Sequence, residues 1–282
     1  MSEPPVRLWA TLTGAAGAPV LVLGNSLGTT GELWQPQLGP LGRSFRLLRY
    51  EHRGHGGSPA PPGPYSIAGL GADVLRLLDE FEIKTAYYCG VSLGGMVGMW
   101  LAASAPDRIT ALALCCTSAY LQPAQLWRDR AARVRADGMA SISRQVVARW
   151  FTPGYQDAHP GTVAGFVSTL EREVVPEGYA GCCDAIAAMD LRPLLASVTA
   201  PTLVIAGAED PATPPWHGAA IASAIPGARL RVIRGAAHLA NVSSAAEFSA
   251  TLLAHLAAWP GPDQGHGRRH RTRDRAADSI AD

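Results

Sequence analysis

CGVSLGGMVG, residues 89–98, sets one serine between two glycines at the join of two apolar stretches. Upstream, TAYYCG (85–90) reads as a buried strand, and downstream GMVGMWLAASAP (95–106) reads as a helix. A strand that turns sharply into a helix at G-x-S-x-G is a nucleophile elbow, in which the serine sits on a strained turn and a Cβ at either glycine would clash. Ser92 is therefore the candidate nucleophile.

A serine hydroxyl attacks well only when a histidine takes its proton, and a buried carboxylate must orient that histidine. After an elbow of this kind the chain order is serine, then Asp or Glu, then His, each on a loop following a later strand. VIAGAEDPATPP (204–215) puts Asp210 three residues past a strand end, with Glu209 as its neighbouring rival. VIRGAAHLAN (232–241) puts His238 five residues past the next strand end. Of the eight histidines, His52 and His55 precede the serine, His159 lies in a helical region and His217 opens a helix. His255 is mid-helix, and His266 and His270 lie near the C-terminal end. Only His238 sits between the last strand and the last helix.

The stretches around these residues alternate between short apolar runs and amphipathic segments, the pattern of a mostly parallel sheet covered by helices on both faces. Buried strands are expected at 19–24, 45–50, 85–90, 110–116, 201–207 and 228–233. Leu70, Val74, Leu78 and Phe81 recur at helical spacing, as do Phe248, Leu252, Leu256 and Trp259, and both stripes should pack on the sheet. Residues 120–189 break the alternation: they hold helical patterns and no convincing strand, punctuated by Pro123, Pro153, Pro160 and Pro176. They are expected to form a helical cap inserted into a core of residues 1–119 and 190–259, over the strand ends where ligands bind in such sheets. Residues 260–282 are polar, charged and aperiodic, as in a flexible tail or linker.

Charge that develops on a carbonyl oxygen needs preorganised donors. The backbone N–H of Leu93, just after the serine, is one candidate. The Gly-rich bend LGNSLGTTGELW (23–34) offers Ser26 or Leu27 as the second. The bend lacks the G-x-G-x-x-G and G-K-[ST] spacings of nucleotide sites.

Composition narrows the partners. The 282 residues are 48% apolar with a net charge of +1, which favours neither nucleic acid nor a membrane surface. No apolar run is long enough to span a bilayer and the N-terminus lacks the pattern of a signal peptide, so a cytoplasmic protein is expected. The five cysteines have no zinc-site spacing and read as buried reduced thiols.

The chain resembles the α/β-hydrolases, and within them the 3-oxoadipate enol-lactonases of the β-ketoadipate route of aromatic catabolism. The resemblance covers residues 7–259 and rests on NSLGT (25–29), RGHGGS (53–58), the elbow, RWFTP (149–153) and YAGCCDAI (179–186). It departs at Glu51, where the wider family usually has Asp. The resemblance implies a serine carboxylic-ester hydrolase that opens 3-oxoadipate enol-lactone to 3-oxoadipate, with Ser92, Asp210 and His238 as triad and Leu93 with residues 25–27 at the oxyanion hole. It implies a small lactone carboxylate as substrate and neither metal nor organic cofactor. Some relatives carry a fused carboxymuconolactone decarboxylase, so a decarboxylase partner is a further expectation. Trp127 and Arg130 match the family's cap pattern, and helical spacing places them on one face with Ala131 and Val134, leaving Arg128 and Arg135 toward solvent. A carboxylesterase and a C–C hydrolase of the same fold are the alternatives.

Overall fold

The computed structural model describes residues 6–259. The stretch 260–282, expected to be a tail or linker, lies outside the described residues.

The order along the chain is β1 (Ala10–Thr13), β2 (Val20–Gly24), α1 (Gln35–Gly42), β3 (Arg46–Tyr50), α2 (Ile67–Glu80), β4 (Ala86–Val91), α3 (Leu93–Ser104) and β5 (Ile109–Cys115). Five helices follow without an intervening strand: α4 (Ala124–Asp137), α5 (Ser143–Ala148), α6 (Pro153–Ala158), α7 (Pro160–Arg172) and α8 (Pro176–Ala188). The chain then forms β6 (Thr202–Gly207), α9 (Pro215–Ala224), β7 (Arg229–Ile233), α10 (Ala240–Ser243) and α11 (Ala245–Ala257).

The seven strands form one sheet in the order β1-β3-β2-β4-β5-β6-β7. All neighbours are parallel except β1, which runs antiparallel to β3. Strands β2, β4 and β6 are buried at every residue, because in a parallel sheet covered on both faces each side chain meets a helix. Two edges differ from the sequence reading. Strand β1 was not foreseen, since ATLT is short, half-buried and has no apolar run. Strand β7 exists, but Arg229–Val232 are exposed and only Ile233 is buried. As the last strand it has one neighbour, which leaves its outer side to solvent.

The helical stripes pack as their spacing predicts, apart from their ends. Leu70, Val74 and Leu78 of α2 and Phe248, Leu252 and Leu256 of α11 are buried, whereas Phe81 and Trp259 lie just past their helices and are exposed. In the stretch between β5 and β6 the prolines read as punctuation open the helices. Pro153, Pro160 and Pro176 are the first residues of α6, α7 and α8, where a missing N–H costs nothing, and Pro123 is the N-cap of α4. Helices α4 and α8 pack together, and α5 packs on α7.

One buried ion pair stitches the loop after β3 to α2: Arg53 meets Asp73 through Nε at 2.6 Å and Nη2 at 2.8 Å. All five cysteines are buried and free. No helix among the described residues is long and apolar enough to cross a membrane.

Candidate active site

The elbow has the geometry its residues require. Ser92 sits between β4 and α3 at φ 54°, ψ −112°, a region an L-residue adopts only under constraint. The surrounding bonds impose it: Ser92 N–H donates to the Cys115 carbonyl (2.8 Å), while the Ser92 carbonyl accepts from Thr117 Oγ1 (2.7 Å) and Met96 N–H (3.0 Å). A Cβ at position 90 would stand 2.3 Å from the backbone of Gly94, and one at position 94 would stand 2.3 Å from the Gly24 carbonyl oxygen. Both glycines are thus demanded by close approach of backbone.

His238 and Asp210 meet on the loops after the last two strands, with His238 Nδ1 at 2.8 Å from Asp210 Oδ2. The other bonds of the carboxylate fix its roles. Oδ1 accepts from the N–H groups of Ala212 (2.8 Å) and Thr213 (3.1 Å), and Oδ2 also accepts from Thr213 Oγ1 (2.7 Å). Burial alone would raise the Asp210 carboxyl, but the charge of His238 and the donors of His238 and Thr213 outweigh it and hold it below the ordinary value. Glu209, the rival carboxylate, is exposed to solvent. Thr213 was missed in the sequence, although its place three residues after an Asp is the pattern of an Asx-turn.

A second Ser–His contact, Ser118 Oγ to His217 Nδ1 at 2.8 Å, has a different character. The Ser118 hydroxyl proton is committed to the Tyr120 carbonyl (2.8 Å), so Ser118 accepts from His217 and from Tyr120 N–H. Neither residue lines the pocket over Ser92.

The bend after β2 lies beside the elbow, with Gly94 N–H donating to the Asn25 carbonyl at 2.9 Å. Among the described residues no acceptor faces the N–H of Ser26, Leu27 or Leu93. Glu51, where the usual Asp is one methylene shorter, reaches the Gly31 N–H with Oε1 (2.8 Å) and Asn25 Nδ2 with Oε2 (3.0 Å).

These parts open onto one small pocket of about 50 Å³. Its floor is Ser26, Leu27, Ser92 and His238, with Ala212 and Thr213 at one side. Its roof comes from the segment between β5 and β6: Trp127 and Arg130 of α4, Val146 of α5, Arg149 and Trp150 in the turn after it, and Tyr179 of α8. The structure therefore brings the sequence-selected Ser26, Leu27, Ser92, Trp127, Arg130 and His238 to one cavity, with Asp210 bonded to His238. The side chain of Leu93 is buried in the core, so only its backbone N–H bears on the elbow. On α4, Ala131 and Val134 are buried and the Arg130 guanidinium stacks 4.6 Å from the Trp127 ring. Arg128 and Arg135 are exposed, as their places on the helix predict, and from there Arg135 bridges Glu177 (2.9 Å) and Asp184 (2.8 Å) on α8. Arg149 and Tyr179 were not selected as site residues. Arg149 Nη2 donates to the Pro211 carbonyl (2.8 Å), and the buried Tyr179 hydroxyl makes no hydrogen bond of full geometry, with the Arg130 guanidinium as its charged neighbour. Among the described residues no group of three or more His, Cys, Asp or Glu side chains is gathered to hold a metal ion.

A strained elbow serine, a His–Asp pair on the later loops and a helical roof define an α/β-hydrolase. The sequence profile of the alpha/beta hydrolase fold family matches residues 19–245, and the chain belongs to that family. Within it, 3-oxoadipate enol-lactonase 2 of Acinetobacter baylyi is 40% identical over 236 residues, 84% of this chain and 88% of that protein. 3-Oxoadipate enol-lactonase 1 of the same organism is 33% identical over 84% of this chain and 88% of its own length. The crystal structure of the enol-lactonase from Burkholderia xenovorans LB400 superposes with a TM-score of 0.86 at 41% identity, covering 89% of this chain and 96% of that one.

Proposed function

We propose that this protein is a serine hydrolase that opens 3-oxoadipate enol-lactone to 3-oxoadipate, with Ser92 as nucleophile, His238 as base and Asp210 as its orienting carboxylate. The observation that carries the reading is the pocket itself. A reactive-serine floor faces a roof that holds Trp127, two arginines and a buried tyrosine hydroxyl, which suits a small ring bearing a carboxylate. The likeness to named enol-lactonases selects the lactone among such substrates.

In this mechanism Ser92 Oγ attacks the lactone carbonyl while His238 Nε2 takes its proton, and Asp210 holds Nδ1–H and stabilises the imidazolium. The carbonyl oxygen, now an oxyanion, takes hydrogen bonds from the N–H groups of Leu93 and Leu27 or Ser26. Collapse breaks the ring C–O bond, and His238 returns the proton to the departing enol oxygen, which stays tethered to the acyl chain. The enol becomes a ketone by tautomerisation. Water then loses a proton to His238, attacks the acyl carbon and releases the carboxylate with Ser92 restored.

The substrate's own carboxylate must leave water to enter the cavity and needs donors there. Arg130 and the Tyr179 hydroxyl supply them, with the Trp127 ring as wall. Residues 120–189 act as the cap that carries these groups. The substrate reading calls for a small-molecule ligand and no cofactor, and a decarboxylase acting on the preceding intermediate is the natural partner activity.

The test is turnover by the purified protein of three compounds: the enol-lactone, p-nitrophenyl acetate and a dienone acid of the kind C–C hydrolases cleave. The proposal expects kcat/KM for the lactone to exceed the other two by at least 100-fold. A preference for the ester or the dienone acid would move the protein to the alternative activities.

A further inference from the structure

The bend that carries the second oxyanion donor is held by bonds from the elbow, from its own Thr29 and from one neighbouring loop. Three consecutive peptide groups are tied. The Asn25 carbonyl accepts from Gly94 N–H and from His52 Nε2, each at 2.9 Å. The Ser26 carbonyl accepts from Thr29 N–H (3.1 Å) and Thr29 Oγ1 (2.8 Å). Gly28 N–H donates to His55 Nε2 at 3.0 Å. In a trans peptide the C=O and the following N–H point in opposite directions. Anchoring the Asn25 and Ser26 carbonyls therefore turns the N–H groups of Ser26 and Leu27 the other way, and both are left without a protein acceptor.

His55 closes this arrangement from below. Its Nδ1 faces the Arg53 carbonyl at 3.0 Å, which can only accept, so Nδ1 carries the proton and Nε2 is the bare acceptor that Gly28 needs. His55 is fully buried, and burial lowers its pKa to about 4, so it remains an acceptor at neutral pH. Glu51 and His52 belong to the same loop and hold Gly31, the Asn25 side chain and the Asn25 carbonyl. That loop is in turn fastened to the helical roof, through Gly56 N–H to the Glu173 carbonyl (2.7 Å) and Val175 N–H to the Gly54 carbonyl (2.8 Å).

We infer that residues 51–55 form the mould that aims the Leu27 amide at the developing oxyanion, and that His55 is a positioning residue for catalysis through its bond to Gly28. The inference rests on the reading of Ser92 as an acyl-transfer nucleophile. An oxyanion donor is useful only within about 2.7–3.1 Å of the oxygen, so a bend free to relax loses rate and not affinity. Ground-state binding is made by the pocket-lining residues of the roof, whereas His55 meets the roof at Val174, which does not line the pocket.

The experiment uses the full chain and His55→Ala, assayed with p-nitrophenyl acetate because that ester needs an oxyanion hole whatever the natural substrate is. If the wild-type protein hydrolyses the ester and not the enol-lactone, the substrate proposal fails while this one is still measured. The expected result is a kcat lowered 10- to 100-fold with KM within threefold. Inhibition by an aryl trifluoromethyl ketone, whose serine adduct carries an oxyanion, weakens by the same factor. Inhibition by adipate, a ground-state dicarboxylate, changes by less than threefold. His55→Gln, which keeps an acceptor at similar reach, stays within fivefold of wild type. Unchanged kcat, a rise in KM alone, or equal weakening of both inhibitors overturns the inference. Should His55→Ala fail to fold, His52→Phe decides: it removes the loop's bond to the Asn25 carbonyl at similar shape, and that carbonyl keeps its bond from Gly94 N–H. A several-fold loss of kcat supports the mould, and an unaltered kcat refutes it.

Discussion

Replacing Asp210 by Asn tests the triad at the point where the structure is most specific. The amide is nearly isosteric, so its orientation is set by the donors around it. Ala212 and Thr213 N–H groups point at the Oδ1 position from 2.8 and 3.1 Å and require an oxygen there. The NH2 group must then occupy the Oδ2 position, 2.8 Å from His238 Nδ1. Thr213 can rotate its hydroxyl to accept, but the imidazole can satisfy the NH2 only by presenting a lone pair at Nδ1. Its proton moves to Nε2, and the nitrogen that has to take the serine proton is already protonated. In serine proteases the same swap costs about 10⁴ in kcat. The same loss is expected here, about 5.5 kcal/mol at roughly 1.4 kcal/mol per decade. Steady-state hydrolysis of p-nitrophenyl acetate and of the enol-lactone measures it, alongside the rate at which a fluorophosphonate labels Ser92. Far-ultraviolet circular dichroism should be unchanged, and labelling should slow in parallel with turnover. Retention of more than a tenth of the wild-type rate, or a larger loss from Glu209→Gln, refutes the assignment.

Three further outcomes follow from the same geometry. Gly94→Ala puts a Cβ 2.3 Å from the Gly24 carbonyl, where both contacts are backbone, so it should lower unfolding stability by about 3 kcal/mol or more in urea titration; a loss under 1 kcal/mol would show that the elbow relaxes. Acid stability should depend on His52, whose pKa burial lowers to about 3 against roughly 6.5 in the unfolded chain. Between pH 6.5 and 4 the unfolded chain binds a proton that folded His52 refuses, so stability falls as pH falls, and His55 adds to the trend. Glu51, raised to about 7 mainly by its burial, takes a proton in the folded state over the same range and offsets one of them. His52→Gln should therefore reduce the slope of stability against pH by about 1.4 kcal/mol per unit, read from urea midpoints at several pH values, and an unchanged slope would contradict the burial argument. Arg130→Met should cut kcat/KM for the enol-lactone by about 10- to 100-fold, the worth of a charge-assisted bond of about 1.5–3 kcal/mol, while sparing p-nitrophenyl acetate; equal losses on both would make Arg130 a support of the roof.

What the sequence alone determined are the features written in neighbouring residues. The strand, turn and helix around Ser92 follow from apolar runs that meet at two glycines, and the structure shows that backbone contacts at positions 90 and 94 demand them. The chain order of Ser92, Asp210 and His238 was legible because each follows a recognisable strand end. The helical run of 120–189 announced itself by its prolines. Tertiary structure decided what depends on residues far apart in the chain. Glu209 and Asp210 are adjacent, and only the fold turns one to solvent and the other to His238, 28 residues away. Strand β7 has a core pattern, yet its place at the sheet edge exposes it. Arg149 reaches the Pro211 carbonyl across 62 residues, and the buried Tyr179 hydroxyl is recognisable only once its surroundings are in place. His55 looked like a histidine on the wrong side of the serine. It meets Gly28 because the parallel pairing of β2 with β3 sets their following loops side by side, and no local pattern of residues encodes that meeting.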